Sequence, residues 1–251
     1  MDLGIEGKVA LVMGASKGLG RAIAAALARE GARVAISSRS AERIEATAAG
    51  IDGDVRGFAA DTEDLDGLPQ LVTAVRDELG PVDILVTNTG GPPLGDPLSF
   101  TRDQWERSYR SLVLAPMALI EAVVPEMRDR GWGRIVNVTS IATREPIPGL
   151  MLSNSHRLAA VGAFKTLSRE LARDGILLNS VAPGRIATDR IASMTGQSLE
   201  ELRQTPQPDI PVGRLGTPEE FADVTAFLCS ERASYVNGIN MPVDGGSTRS
   251  V

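Results

Sequence analysis

His156 is the only histidine in the chain, and it stands in the run Ser153-Asn154-Ser155-His156-Arg157. Residues at i, i+3 and i+4 share one helix face, so a helix here points Ser153, His156 and Arg157 the same way. An imidazole with an ordinary pKa of about 6.5 can pass protons at neutral pH. A guanidinium cannot act as a base, but it can stabilise an oxyanion. The same residues admit a structural reading, with His156 packed against a sheet and Arg157 paired with an acid. A second group carries different chemistry. Gly14-Ala15-Ser16-Lys17-Gly18-Leu19-Gly20 follows an apolar run and opens a helical pattern. Glycines placed so allow a tight turn and let a pyrophosphate approach backbone N–H groups at the helix N-terminus. NAD binders place a carboxylate about 20 residues further on, for the ribose 2′-hydroxyl. Here that stretch is Ser37-Ser38-Arg39-Ser40, with no acid. Arg39 can fork onto a 2′-phosphate and Lys17 adds a second positive charge, so the expected cofactor is NADP(H).

The elements that position these residues alternate in type. Short apolar runs at 8–13, 33–37, 55–59, 82–87, 134–138, 176–182 and 239–243 read as strands. Helical patterns at 18–30, 41–49, 64–79, 102–129, 150–173 and 218–230 separate them. Strand and helix in alternation require crossovers that return over the sheet. The expected fold is therefore α/β: one Rossmann domain over 1–251, with a doubly wound parallel sheet of about seven strands. The stretch 188–215 breaks the pattern, being polar, without periodicity and containing Pro206, Pro208 and Pro211. It is long for an idle connection and reads as a substrate lid, with an irregular surface excursion as the alternative. Gly90-Gly91-Pro92-Pro93 gives a close approach followed by a rigid exit, on the substrate side. Arg144, Arg185 and Arg190 fall on segments that rim the same cleft, where they bind a carboxylate or phosphate or simply face solvent.

Composition narrows the class. The chain has 251 residues, 43% of them apolar, enough for one sizeable core. A net charge of −6 argues against nucleic acid as a partner. The single cysteine, Cys229, fits a reducing compartment and forms neither an internal disulfide nor a metal cluster. Asp2 and Glu6 precede any hydrophobic run, so no secretory signal is read, and no apolar stretch is long enough to span a bilayer. The expectation is a cytoplasmic protein with a small-molecule substrate, without a metal, membrane or nucleic-acid partner.

With these residues in place, the chain resembles the short-chain dehydrogenase/reductase superfamily, especially members similar to 3-oxoacyl-carrier-protein reductase. Gly14-x-x-x-Gly18-x-Gly20 resembles the family's phosphate loop, with Met13 where a threonine is usual. Asp61, followed by Thr62, matches the acid that touches the adenine. Asn88-Thr89-Gly90 matches the segment behind the ribose. Ser140 ends a strand where the family has its active-site serine. Pro183-Gly184, Ile186 and Thr188 match the segment that binds the nicotinamide carboxamide. Arg214 to Glu220 and Val243 to Gly246 match the family's C-terminal marks.

In this family a Tyr-x-x-x-Lys pair, a serine and a helical asparagine carry the chemistry. Counting on from Ser140, and aligning the later part of the helix, both place Ser153 at the tyrosine and Arg157 at the lysine. The asparagine position falls on Leu112, and no asparagine lies between Trp105 and Val136. The resemblance thus implies an NADP(H)-dependent oxidoreductase of a carbonyl/alcohol small molecule with an atypical active site built from Ser140, Ser153, His156 and Arg157. Arg157 also replaces the lysine at the ribose. Tyr109, one turn from Leu112, offers a phenol or packs as helix filler. The alternative is an NADP(H)-binding sensor or subunit without turnover. The family usually assembles as dimers or tetramers through 102–129, 150–173 and the last strand, so a homo-oligomer, a homotetramer by analogy, is expected.

Overall fold

The computed structural model describes residues 2–250; Met1 and Val251, the limits of the expected domain, lie outside them. Seven parallel strands form one sheet in the order β3-β2-β1-β4-β5-β6-β7. They are β1 (Val9–Val12), β2 (Arg33–Ser38), β3 (Val55–Ala59), β4 (Ile84–Thr87), β5 (Gly133–Val138), β6 (Ile176–Pro183) and β7 (Asn240–Val243). Every residue of β1, β4 and β5 is buried, as expected of central strands covered on both faces.

Side chains alternate across a strand, and here they feed two layers. Ala10 and Val12 of β1 join Ile36, Val86 and Val136 beneath α1 (Gly18–Arg29) and α9 (Pro218–Leu228), packing on Ile23, Leu27 and Phe221. Val9 and Leu11 face the other way with Leu85 and Ile135, against α3 (Gly67–Leu79), α5 (Ala115–Arg130) and α6 (Met151–Leu171). The helix α2 (Ala41–Ala49) closes the edge over β3, its N-cap Ser40 accepting from the Arg43 N–H. At the N-terminal ends of the strands Trp132 lies between two cations, Lys8 Nζ at 4.2 Å and Arg134 Cζ at 4.5 Å from the ring centre. The site is at the opposite ends.

Three stretches differ in detail from the sequence expectation. The helix expected at 102–129 is α4 (Arg102–Tyr109), a π-helical turn (Arg110–Leu114) and α5. The wide turn contains Leu112, which is buried where the resemblance expected the asparagine. Secondly, 188–215 contains two short helices, α7 (Asp189–Thr195) and α8 (Leu199–Gln204). They gather a small core of their own from Ala187, Leu202, Ile210 and Leu215. Thirdly, the pattern at 64–79 becomes helical only at Gly67. No helix of the described residues is long and apolar enough to cross a membrane.

Phe164 of α6 is among the largest fully enclosed side chains, 2% exposed in the second layer. Phe164→Ala is expected to cost about 3–5 kcal/mol in urea unfolding, with the m-value unchanged. A loss below about 1 kcal/mol would contradict this packing.

Candidate active site

The order of the sheet reverses between β1 and β4, and the loops leaving these strands part there to open a crevice. The glycine loop fills its floor. The Asn88 side-chain amide, just after β4, donates to the carbonyls of Met13 at 3.2 Å and Gly14 at 3.0 Å. A Cβ on Gly14, whose φ is 58°, would collide with the Asn88 carbonyl, and one on Gly20 with the Gly14 carbonyl. The fit admits only glycine at both places. The N-cap of α1, Lys17, makes no side-chain capping bond. The first amides of this helix are therefore left to bind an anion. Thr188 overhangs the same turn, its Cγ2 3.7 Å from where a Cβ on Gly18 would stand.

The ends of β2 and β3 lie to one side. Ser38 and Ser16 are half-buried, Lys17 and Arg39 are exposed, and neither cation forms an ion pair among the described residues. Asp61 is half-buried, with Oδ1 accepting from the Glu63 N–H at 3.0 Å, and Thr62 follows it. On the far side Gly184 donates to the Val243 carbonyl at 3.0 Å, and Thr188 Oγ1 donates to that of Ile186 at 3.3 Å. The structure thus brings Gly14, Gly18, Gly20, Asn88 and Thr188 close together. Thr89 and Gly90 follow Asn88 on its loop, Leu19 lies in the first turn of α1, and Pro183 ends β6.

Ser140 follows β5. Its Oγ accepts from the Ala142 N–H at 3.1 Å, which leaves the hydroxyl hydrogen free to donate. Ser153, His156 and Arg157 are all buried on α6. Ser153 has no hydrogen bond from its hydroxyl among the described residues, yet its oxygen is not among the sealed polar atoms, so it reaches solvent. Arg157 pairs with no acid among the described residues; its Nη1 donates to the Val138 carbonyl at 2.6 Å, at the end of β5. Burial, and then the like charge of Arg190, lower its pKa to about 10, which still leaves it charged at neutral pH.

The surroundings of His156 differ from both sequence readings. The ring packs against α4 rather than the sheet, edge-on to Trp105 at 5.2 Å and tilted to Tyr109 at 6.0 Å. Its Nδ1 lies 2.8 Å from the Leu152 carbonyl, which fixes the hydrogen on Nδ1. Burial lowers the pKa and that bond raises it, the burial effect being the larger.

The three rim arginines separate by partner. Arg185 is held by Asp209 and Gln207, and Arg144 donates to the Asn240 carbonyl at 2.7 Å. Arg190 of α7 lies against Gly91 instead, donating to the carbonyls of Gly91 at 3.2 Å and Pro92 at 3.4 Å. Sequence reasoning named both partners of this contact without joining them. It missed Asn240 altogether: Oδ1 accepts from Thr139 at 3.2 Å and Nδ2 donates to Thr143 at 2.8 Å, bracing the turn after Ser140. Nothing in the local sequence marks a residue 100 positions away. The described residues contain no cluster able to hold a metal ion.

A neutral His156 has a testable signature. Its folded-state pKa lies below the unfolded value of about 6.5, so the unfolded chain binds the extra proton first. The stability contributed is complete above pH of about 6.5 and is lost as the pH falls toward the lowered value. The ring resonances of this single histidine are expected to titrate below about 6.5 in NMR. A midpoint at or above that value would show the imidazole to be exposed or paired with an acid.

Comparison with known proteins agrees with this architecture. A family model described as enoyl-(acyl carrier protein) reductase matches residues 14–248. The chain is 37% identical over 249 residues to dehydrogenase/reductase SDR family member 4 of Homo sapiens, covering 97% of this chain and 88% of that one. It is 34% identical over 244 residues to the 3-oxoacyl-[acyl-carrier-protein] reductase of Vibrio cholerae, covering 97% and 98%. Among solved structures, L-sorbose reductase of Gluconobacter frateurii, complexed with NADPH and L-sorbose, superimposes with a TM-score of 0.92 at 33% identity over the whole of both chains. An NADPH-dependent reductase involved in bacilysin biosynthesis gives a TM-score of 0.89 at 29% identity, covering 97% and 99%. The chain belongs to the short-chain dehydrogenase/reductase superfamily of oxidoreductases.

Proposed function

We propose that this protein is an NADP(H)-dependent reductase or dehydrogenase of a small carbonyl/alcohol substrate, working without the superfamily's tyrosine and lysine. The observation that carries the cofactor is the exposed pair Lys17 and Arg39, free of carboxylates beside a glycine cradle too tight for any Cβ. The stretch Ser37 to Ser40 has no acid of the kind NAD recognition uses, and Lys17 and Arg39 suit a 2′-phosphate. The solved relatives that hold NADPH support the same choice.

When bound, the nicotinamide supplies or takes the hydride. Ser140 donates a hydrogen bond to the substrate oxygen. Arg157, charged and fixed on the Val138 carbonyl, stabilises the negative charge that develops there and reaches the ribose. Ser153, whose hydroxyl is open, passes a proton between this oxygen and water. A shuttling role for His156 has less support, because its N–H is committed to Leu152 and burial keeps the ring neutral. The segment 188–215 serves as the substrate lid. Exposed Tyr109 on α4 and Leu158 on α6 support an oligomer built on these helices.

The packing of His156 also favours a second reading, an NADP(H) binder without turnover. Calorimetry and a survey of aldehydes, ketones and 3-oxoacyl thioesters separate the two. NADP⁺ is expected to bind more tightly than NAD⁺, and Arg39→Asp to narrow or reverse the difference; equal affinities would sink the cofactor assignment. Ordinary ketones are expected to be reduced slowly, since a missing general acid costs about 10²–10⁴ in rate. On the substrate that is turned over, Ser140→Ala is expected to lower kcat with NADPH affinity unchanged. Cofactor binding with no oxidation of NADPH by any compound would establish the second reading.

A further inference from the structure

Arg157 and Arg190 reach the same end of two adjacent strands from distant parts of the chain. Arg157 is anchored on Val138, the last residue of β5. Arg190 is anchored on Gly91 and Pro92, which follow β4. The strands are paired there, Thr87 lying opposite Asn137. Neither guanidinium forms an ion pair among the described residues, unlike Arg185, which Asp209 neutralises. Arg157 is only 9% exposed and makes a single hydrogen bond. Its Nε and Nη2 have no partner among the described residues and are not among the sealed polar atoms, so they keep some access to solvent.

Two like charges anchored near the ends of neighbouring strands repel, and a buried guanidinium without a counter-charge is costly. Burial first, and the like charge of Arg190 second, lower the pKa of Arg157. A cofactor pyrophosphate does not account for the pair, because the uncapped start of α1 beneath Thr188 already provides for it. We propose that Arg157 and Arg190 together bind an oxyanion group of the substrate, a carboxylate or a phosphate monoester. Planar forks that have lost no donors to acids suit either group. This rests on the reading of the cleft as a reductase's substrate site and adds the substrate class to it. It also gives the lid contact a purpose: Arg190 rides on α7, so the segment delivers a substrate-binding charge as it lies down on Gly91.

The test uses phenylpyruvate, its methyl ester and phenyl phosphate as probes, titrated by calorimetry into the full chain with and without NADP⁺. An acid is expected to bind roughly tenfold or more tightly than the ester, and salt to weaken it. The tighter of the two acids identifies the carboxylate or the phosphate as the source. Arg190→Gln, an exposed change, is expected to remove roughly tenfold of that affinity and leave NADP⁺ binding as it was. Arg157→Lys, which keeps the charge, is expected to retain part of the preference for the acid. Melting temperatures confirm that both variants are folded. Equal binding of acids and ester, or binding of none, overturns the proposal. So does an Arg190→Gln variant that loses NADP⁺ affinity and keeps the acids, which would give Arg190 to the cofactor. Because the comparison of acid with ester is also made on the protein alone, failure to bind NADP⁺ would strike the reductase reading and leave this test intact.

Discussion

The arrangement of the cleft depends on one side-chain amide. Asn88, leaving β4, donates to the carbonyls of Met13 and Gly14 and so ties the turn after β1 to the neighbouring strand. That tie draws the two backbones too close for any Cβ on Gly14, and the same turn brings Gly20 against the Gly14 carbonyl. The Ala15 N–H is meanwhile bound to the Ser37 carbonyl of β2 at 2.9 Å. Three strands are thus stitched to one loop, and α1 must begin where it does. Because Asn88 is neutral and consumes carbonyls rather than amides, the N–H groups at the start of α1 remain free. An acid in its place would repel the anion that this turn is built to hold.

Around that frame, arginines divide by how fully they are partnered. Arg134 is buried too, but it donates to the carbonyls of Ser230, Gly133 and Gly175 and lies on Trp132. Three carbonyls share its charge, and it sits at the ends of the strands away from the cleft. On the surface Arg29, Arg128 and Arg214 meet Asp223, Asp174 and Glu220. Such exposed pairs contribute little to stability, yet they neutralise one another. Among the cations that form no ion pair within the described residues are Lys17 and Arg39 at one side of the crevice, and Arg157 and Arg190 at the other. These cations give the crevice local positive charge in a chain whose net charge is −6.

The fold was readable because its signals are local. Central strands such as 9–13 are unbroken apolar runs, and helical patterns separate the strands. The π-turn at Arg110–Leu114 was not readable, because its residues continue the helical pattern on both sides. The helices inside 188–215 were missed for another reason: at seven and six residues they are too short for periodicity to show. One signal was available, the capping box of Ser198 with Glu201, spaced like those of Thr101 with Gln104 and Thr217 with Glu220. At the site, spacing was enough to group Ser153, His156 and Arg157 on one face. Spacing says nothing about what lies across from that face, so neither Trp105 beside His156 nor the Val138 carbonyl beneath Arg157 followed from it.

The hold of Arg190 on the opposite loop has a consequence for how this cleft tolerates sequence drift. Both of its acceptors are main-chain carbonyls, so the latch is indifferent to most side chains that the loop presents. It is not indifferent at Gly91, where a Cβ would occupy the space of the guanidinium carbon. A single methyl group there would unseat the arginine without altering either carbonyl. The contact is thus guarded by the absence of an atom, and the loop around it is free to change its shape, polarity and preference for what it admits.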